Sequence, residues 1–146
     1  MALDYGAKTI GVAISDPLGI TAQPIEIIRR DNEESIKKSI ARIKELVKLH
    51  NIGVIVLGYP KNLNNTEGER CRKTIEFKER LERNIKKVEI VLWDERLSTK
   101  GALMGLDELS RKEKHDVIDK MAATLMLQGF MQANPAVFDD NNKNNV

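Results

Sequence analysis

The run Val54-Ile55-Val56-Leu57-Gly58 most constrains what this chain can fold into. Five consecutive residues without a polar side chain leave such a strand no solvent-facing side, so other elements must cover both of its faces. That is the pattern of a central parallel strand, and it calls for an α/β sheet with helices packed on two sides. The neighbouring segments agree. Three apolar runs come first: a stub at Met1-Ala2-Leu3, a full strand from Thr9 to Ser15, and a third from Thr21 to Ile28, with Pro17-Leu18-Gly19 as a turn. In the third run Ala22, Pro24, Glu26 and Ile28 share one face, Gln23, Ile25 and Ile27 the other, and Pro24 assigns the strand to a sheet edge. Asp31 or Asn32 can cap a helix with the stripe Ile36, Ile40, Ile43 and Val47. Thr66-Glu67-Gly68-Glu69 reads as a capping box opening a helix that turns Cys71, Ile75, Lys78, Leu81 and Ile85 inward. A strand from Val88 ends at Asp94, Ser98 caps a short helix, and a basic stretch from Arg111 to Lys114 leads into a last helix over about 115–132. The expected fold is a three-layer α/β domain over residues 1–134, with a mixed sheet of about five strands between helices. The tail, 135–146, is too polar to pack and is expected to be disordered.

Composition narrows the function classes. Aromatic residues make up only 4%, which argues against rows of rings that stack bases. The net charge of +2 does not announce nucleic acid, so any basic surface must be local. Cys71 is the one cysteine, which excludes an internal disulfide and fits a reducing compartment. Without a basic-plus-apolar leader or an apolar run near about 18 residues, a cytoplasmic protein is expected.

The chemistry is carried by acids at strand ends. Asp4 precedes a glycine turn into a second strand, and Asp94 closes the run Val88-Glu89-Ile90-Val91-Leu92-Trp93. Ligand sites in open α/β sheets lie at the carboxyl ends of parallel strands. If the strand ending at Gly58 lies between them, the two acids start about 10 Å apart, two strand spacings of roughly 4.8 Å. Their carboxylates can then close on a metal pair about 3.5–4 Å apart, and magnesium suits such a set of hard oxygen donors. Taken singly, Asp4 could merely start a turn and Asp94 merely cap the next helix. On the last helix Asp119 heads a stripe through Ala123, Met126 and Phe130, where an uncompensated carboxylate is costly. A cation would stabilise it, as would a buried salt bridge to Arg96 or Lys120. Asp116, four residues before Lys120, reads as a solvated ion-pair partner. Alternation sends Asp94 and Glu95 to opposite sides of the strand, with Asp94 the first choice as ligand and Glu95 the second. Arg96 can hold a phosphate through its fork or simply brace Asp94. Lys8, beside the Asp4 turn, is a second phosphate candidate against the plainer reading of a solvated hairpin lysine. The long loop from Gly58 to Gly68, with Lys61 and Asn62, ends at a helix amino terminus where N–H groups can meet phosphate; it could equally be a structural loop.

Four blocks carry a resemblance: Leu3-Asp4-Tyr5-Gly6-Ala7-Lys8-Thr9-Ile10-Gly11-Val12-Ala13, Asn62-Leu63-Asn64-Asn65-Thr66-Glu67-Gly68, Asp94-Glu95-Arg96-Leu97-Ser98-Thr99 and Val117-Ile118-Asp119-Lys120-Met121-Ala122-Ala123. In this order and spacing the chain resembles the YqgF (RuvX) family of bacterial nucleases. The resemblance implies a ribonuclease H-like fold with sheet order 3-2-1-4-5 and strand 2 antiparallel. It also implies a phosphodiesterase dependent on Mg²⁺ or Mn²⁺ that matures the 5′ end of the small-subunit ribosomal RNA precursor (pre-16S rRNA); some relatives are described as Holliday-junction resolvases. Asp4, Asp94 or Glu95, and Asp119 match the family's acidic site. Two departures stand out. Only Met1-Ala2-Leu3 precede Asp4, so either the start is truncated or a short strand holds Asp4 less firmly. Gly101 interrupts the helix after Ser98, which makes 101–114 a candidate gating segment.

The expected mechanism is two-metal hydrolysis, with Asp4 bridging both ions and Asp94 and Asp119 completing one each. Nucleic acid is the expected partner, on its own or in a pre-ribosomal particle, engaged by a monomer or a homodimer. A junction resolvase would use the same chemistry on four-way DNA and need a dimer for symmetric cuts. A catalytically faded nucleic-acid or ribosome-binding module is the third reading. Actin-like kinases also place aspartate and glycine on a hairpin, but need a second lobe for which 146 residues leave no room.

Overall fold

The computed structural model describes residues 1–32, 35–59, 68–94 and 111–134, of which 111–120 through their backbone. Five strands form one sheet: β1 (Ala2–Tyr5), β2 (Thr9–Ser15), β3 (Ala22–Arg29), β4 (Val54–Tyr59) and β5 (Glu89–Asp94). Three helices accompany them: α1 (Ile36–Leu49), α2 (Glu69–Asn84) and α3 (Arg111–Ala133). The strand order is β3-β2-β1-β4-β5. β2 runs antiparallel to both neighbours, while β1, β4 and β5 are parallel. This is the ribonuclease H-like order, and β4 holds the inner position that its apolar run demands.

The two faces of the sheet differ in side-chain size. Leu3, Tyr5, Ile10, Val12, Ile55 and Leu57 pack with α1 and α2 residues such as Ile43, Leu46, Phe77 and Leu81. On the other side Ala2, Ala13, Ala22 and Val56 meet Ala123, Met126, Leu127 and Phe130 of α3. Alanines on that face let one helix lie close against the antiparallel half of the sheet, whereas the larger aliphatics opposite hold two helices further off.

Several local expectations are corrected. β3 does not keep one face along its length, because the register slips between Val12 and Ala13: Val12 pairs with Glu26 but Ala13 with Pro24. The extra residue, Ile25, is a bulge, so Ile28 joins the α1–α2 core while Ala22 joins the α3 core. Pro24 lies on an edge strand as expected. Helix α1 is preceded by Ser35 rather than capped by Asp31 or Asn32, although Asn32 Oδ1 accepts the Ser35 backbone N–H at 2.9 Å. Helix α2 starts after Gly68, and Thr66 lies outside the described residues. Its buried stripe is Cys71, Thr74, Phe77 and Leu81, with Ile75 exposed and Lys78 paired to Glu82 at 2.9 Å. Thr74 fits there because its hydroxyl donates to the Arg70 carbonyl at 2.8 Å. Arg111–Lys114 belong to α3 itself rather than to a lead-in. The Ser98 helix, residues 101–110 of the gating segment and the 135–146 tail lie outside the described residues. Among the described residues no helix is long and apolar enough to cross a membrane.

β1 begins at the first residues of the chain. The Met1 amino group donates to the Val54 carbonyl at 3.0 Å, and the Val56 N–H donates to the Met1 carbonyl at 2.8 Å. Burial lowers that amino group from 8.0 to about 5. Gly129→Ala should raise stability by about 0.5–1 kcal/mol in urea denaturation. Its new Cβ would meet Trp93 Cζ2 at 3.7 Å, an ordinary contact.

Candidate active site

Asp4 and Asp94 sit at the carboxyl ends of β1 and β5, with β4 between them. Leu3 pairs with Leu57, so Asp4 is level with Gly58; Asp94 pairs with Tyr59, one step further along. The backbone separation of two strand spacings, about 10 Å, is therefore that expected from the sequence. The pleat adds something unforeseen. Ala2 belongs to the α3 core and Leu3 and Tyr5 to the opposite core, which puts Asp4 on the α3 side. In β5 it is Trp93 that faces α3, its ring meeting Phe130 edge-on at 5.7 Å, while Leu92 packs on the α1–α2 side. Alternation then turns Asp94 to the α1–α2 side, away from the face of Asp4. Both acids are half-buried, and both are engaged in polar contacts.

The turn after Asp4 is held unusually tightly. The Gly6 N–H donates to the Thr9 carbonyl at 2.8 Å, closing the hairpin. Arg70, in the first turn of α2, donates to the Tyr5 carbonyl at 3.0 Å, and Arg30, just past β3, donates to the Gly6 carbonyl. Both guanidinium groups lie over the Tyr5 ring, at 4.7 Å for Arg30 and 5.1 Å for Arg70. Phe77 stacks on the same ring at 4.3 Å and 6°. Sequence reasoning missed Arg30, Arg70 and Tyr5 as parts of the site. A lone arginine after an edge strand and another on a charged helix carry no pattern, since only the fold brings them together across 24 and 65 residues.

Lys8 is exposed and lies on the α2 side of the turn, not beside Asp4's face. There it lines a cleft of about 680 Å³ with Lys73, Arg80, Asp31 and Glu76 over a floor including Tyr5 and Phe77. Its charges nearly balance. Asp119 is carried by α3, whose buried residues Ala123, Met126 and Phe130 continue its stripe against the sheet. Lys61, Asn62, Glu95 and Arg96 lie outside the described residues, as does the side chain of Asp119. Among the described residues no group of three His, Cys, Asp or Glu side chains converges as a metal site. The described donors at the carboxyl rim are carboxylates, while Cys71 is buried along α2 and His50 follows α1. Such hard oxygen donors fit Mg²⁺ or Mn²⁺ and not a soft metal.

The family model described as RuvX, Holliday junction resolvase, matches residues 1–133. A curated protein of Agathobacter rectalis, provisionally named pre-16S rRNA nuclease, is 46% identical over 133 residues, 90% of this chain and 92% of that protein. One from Staphylococcus aureus with the same provisional name is 44% identical over 135 residues, 91% of this chain and 94% of its own. Among solved structures, Thermus thermophilus RuvC in complex with a Holliday junction substrate aligns with a TM-score of 0.52 at 16% identity, covering 90% of this chain and 92% of that one. The likeness shows a shared fold.

Gly6 has little freedom to change. A Cβ added there would lie 3.0 Å from the Thr9 carbonyl oxygen, which the hairpin cannot move without losing the bond that closes it. Gly6→Ala should therefore cost about 1–3 kcal/mol in urea denaturation.

Proposed function

The chain belongs to the RuvX family of Holliday junction resolvases, and we propose that it is a metal-dependent nuclease acting on the 5′ end of the 16S ribosomal RNA precursor. The observation that carries this reading is Asp4: a carboxylate at the end of the central parallel strand, on the face covered by the Asp119-bearing helix. Its support is the 46% and 44% identity to curated proteins bearing that name, over nearly the whole chain. It is a hydrolase of phosphodiester bonds, and we place it in the cytoplasm with its substrate, met as RNA or within a pre-ribosomal particle.

Asp4, Asp119 and one acid of the Asp94-Glu95 pair would hold Mg²⁺ or Mn²⁺. Asp94 takes the opposite face of the sheet from Asp4, so of that pair we assign Glu95. When bound, the metal supplies a water nucleophile at neutral pH and offsets charge on the scissile phosphate. The protein's part is to hold the carboxylates at fixed separation on a rigid sheet and to seat the phosphate. Arg96, Lys61 and Asn62 are the residues we assign to that seat. Lys8, on the far side of the turn, would contact a flanking segment of the substrate instead.

Four-way DNA is the second reading, favoured by the family's description. It would require a homodimer, because symmetric cuts need two sites related by a two-fold axis. One experiment decides between them: cleavage of a labelled 16S precursor and of a four-way DNA junction with Mg²⁺ or Mn²⁺, in wild type and Asp4→Asn. Metal-dependent cutting of the RNA should fall by about a hundredfold or more in Asp4→Asn, while RNA binding is retained. Cutting confined to the junction would move the assignment to a resolvase. Binding of RNA without cutting would make the chain a binding module.

A further inference from the structure

We propose that Arg30 and Arg70 are positioning residues that fix the direction of the Asp4 carboxylate by clamping the Tyr5–Gly6 and Gly6–Ala7 peptide groups. The proposal rests on Asp4 being a metal ligand. β1 ends at Tyr5, paired with Ile10, and the turn begins at Gly6, so the Tyr5–Gly6 and Gly6–Ala7 peptides lie at the end of the ladder. Yet these two carbonyls receive guanidinium donors from two separate elements, Tyr5 from α2 and Gly6 from the segment after β3. Charge-assisted bonds of this kind are about twice as strong as neutral ones.

The placement of these groups goes beyond generic packing. Arg30 is only 8% exposed, and the cost of burying its guanidinium is offset in part by the Gly6 carbonyl and the Tyr5 ring. Both arginines also lie over the Tyr5 ring, which is wedged against Phe77. A turn of the Tyr5–Gly6 peptide would break the Arg70 bond, and a shift of Tyr5 would also lift its ring from Phe77. Because side chains alternate along a strand, Tyr5 locked on the α2 side keeps Asp4 aimed at the α3 side. A lysine could reach the Tyr5 carbonyl but would lack the planar group that lies over the ring.

The test measures Mn²⁺ affinity by calorimetry without nucleic acid, then kcat and KM for the cleaved substrate, then the thermal midpoint. The proteins compared are wild type, Arg70→Ala, Arg70→Lys and Arg42→Ala, the last removing a remote arginine paired with Glu26 at 2.7 Å. Arg70→Ala should weaken Mn²⁺ binding about ten- to a hundredfold and lower kcat by a similar factor at nearly unchanged KM. Arg70→Lys should recover part of both, and Arg42→Ala should match wild-type Mn²⁺ affinity. Wild-type affinity and kcat in Arg70→Ala would overturn the proposal, as would an equal loss in Arg42→Ala, which would reduce the effect to general stability. If Arg70→Ala does not fold, Arg70→Gln is judged by the same outcomes. A wild type that neither binds Mn²⁺ nor cuts would sink the reading of Asp4 and the clamp with it. A wild type that does both beside an indifferent Arg70→Ala sinks the clamp only.

Discussion

The parallel pairing of β1 with β4 is the contact on which the rest of the molecule depends. Ala2 lies opposite Val56 and Leu3 opposite Leu57, and all four side chains are fully or almost fully buried. This pair joins the antiparallel half of the sheet to the parallel half. It separates the two cores, and it sets the level of Asp4 against that of Asp94. Parallel pairing leaves no polar face, so the strands are held by burial on both sides as much as by their ladder. Met1 extends the four-residue strand, its carbonyl accepting the Val56 N–H.

Much of this architecture was legible from residue patterns. The apolar run at 54–58 identified the inner strand and Pro24 the edge, and the acids at 4 and 94 lie at the carboxyl ends of parallel strands as expected. These signals are local: each follows from what one segment must bury or cannot pair. The strand order came from the family resemblance and matches. Two local readings failed, for different reasons. The bulge at Ile25 needs the register with β2, which no periodicity in residues 21–28 encodes. The α2 stripe went wrong at Ile75 and Lys78 because hydrophobic spacing cannot show that Thr74 satisfies its hydroxyl within its own helix.

The site was legible as a set of acids but not as a geometry. The sequence could not tell the face of Asp94, because that depends on where Trp93 points, which its packing on α3 decides. Lys8 looked like a neighbour of Asp4 by sequence distance, whereas the hairpin turn carries it to the α2 side. The arginines over Tyr5 were invisible for the same reason. Sequence proximity finds candidate acids more readily than the distant groups that pack around them.

The alanine floor beneath α3 has a consequence for registration. Helices lock along their axes when ridges of side chains enter grooves. Ala2, Ala13 and Ala22 offer little relief, so they set how close α3 lies but hardly how far it may slide. Trp93 against Phe130 is a bulky contact that can act as a stop. Phe130 is eleven residues beyond Asp119, about 16 Å along the helix. The axial position of that acid over the sheet is thus gauged from a distance, by an indole at the end of another strand.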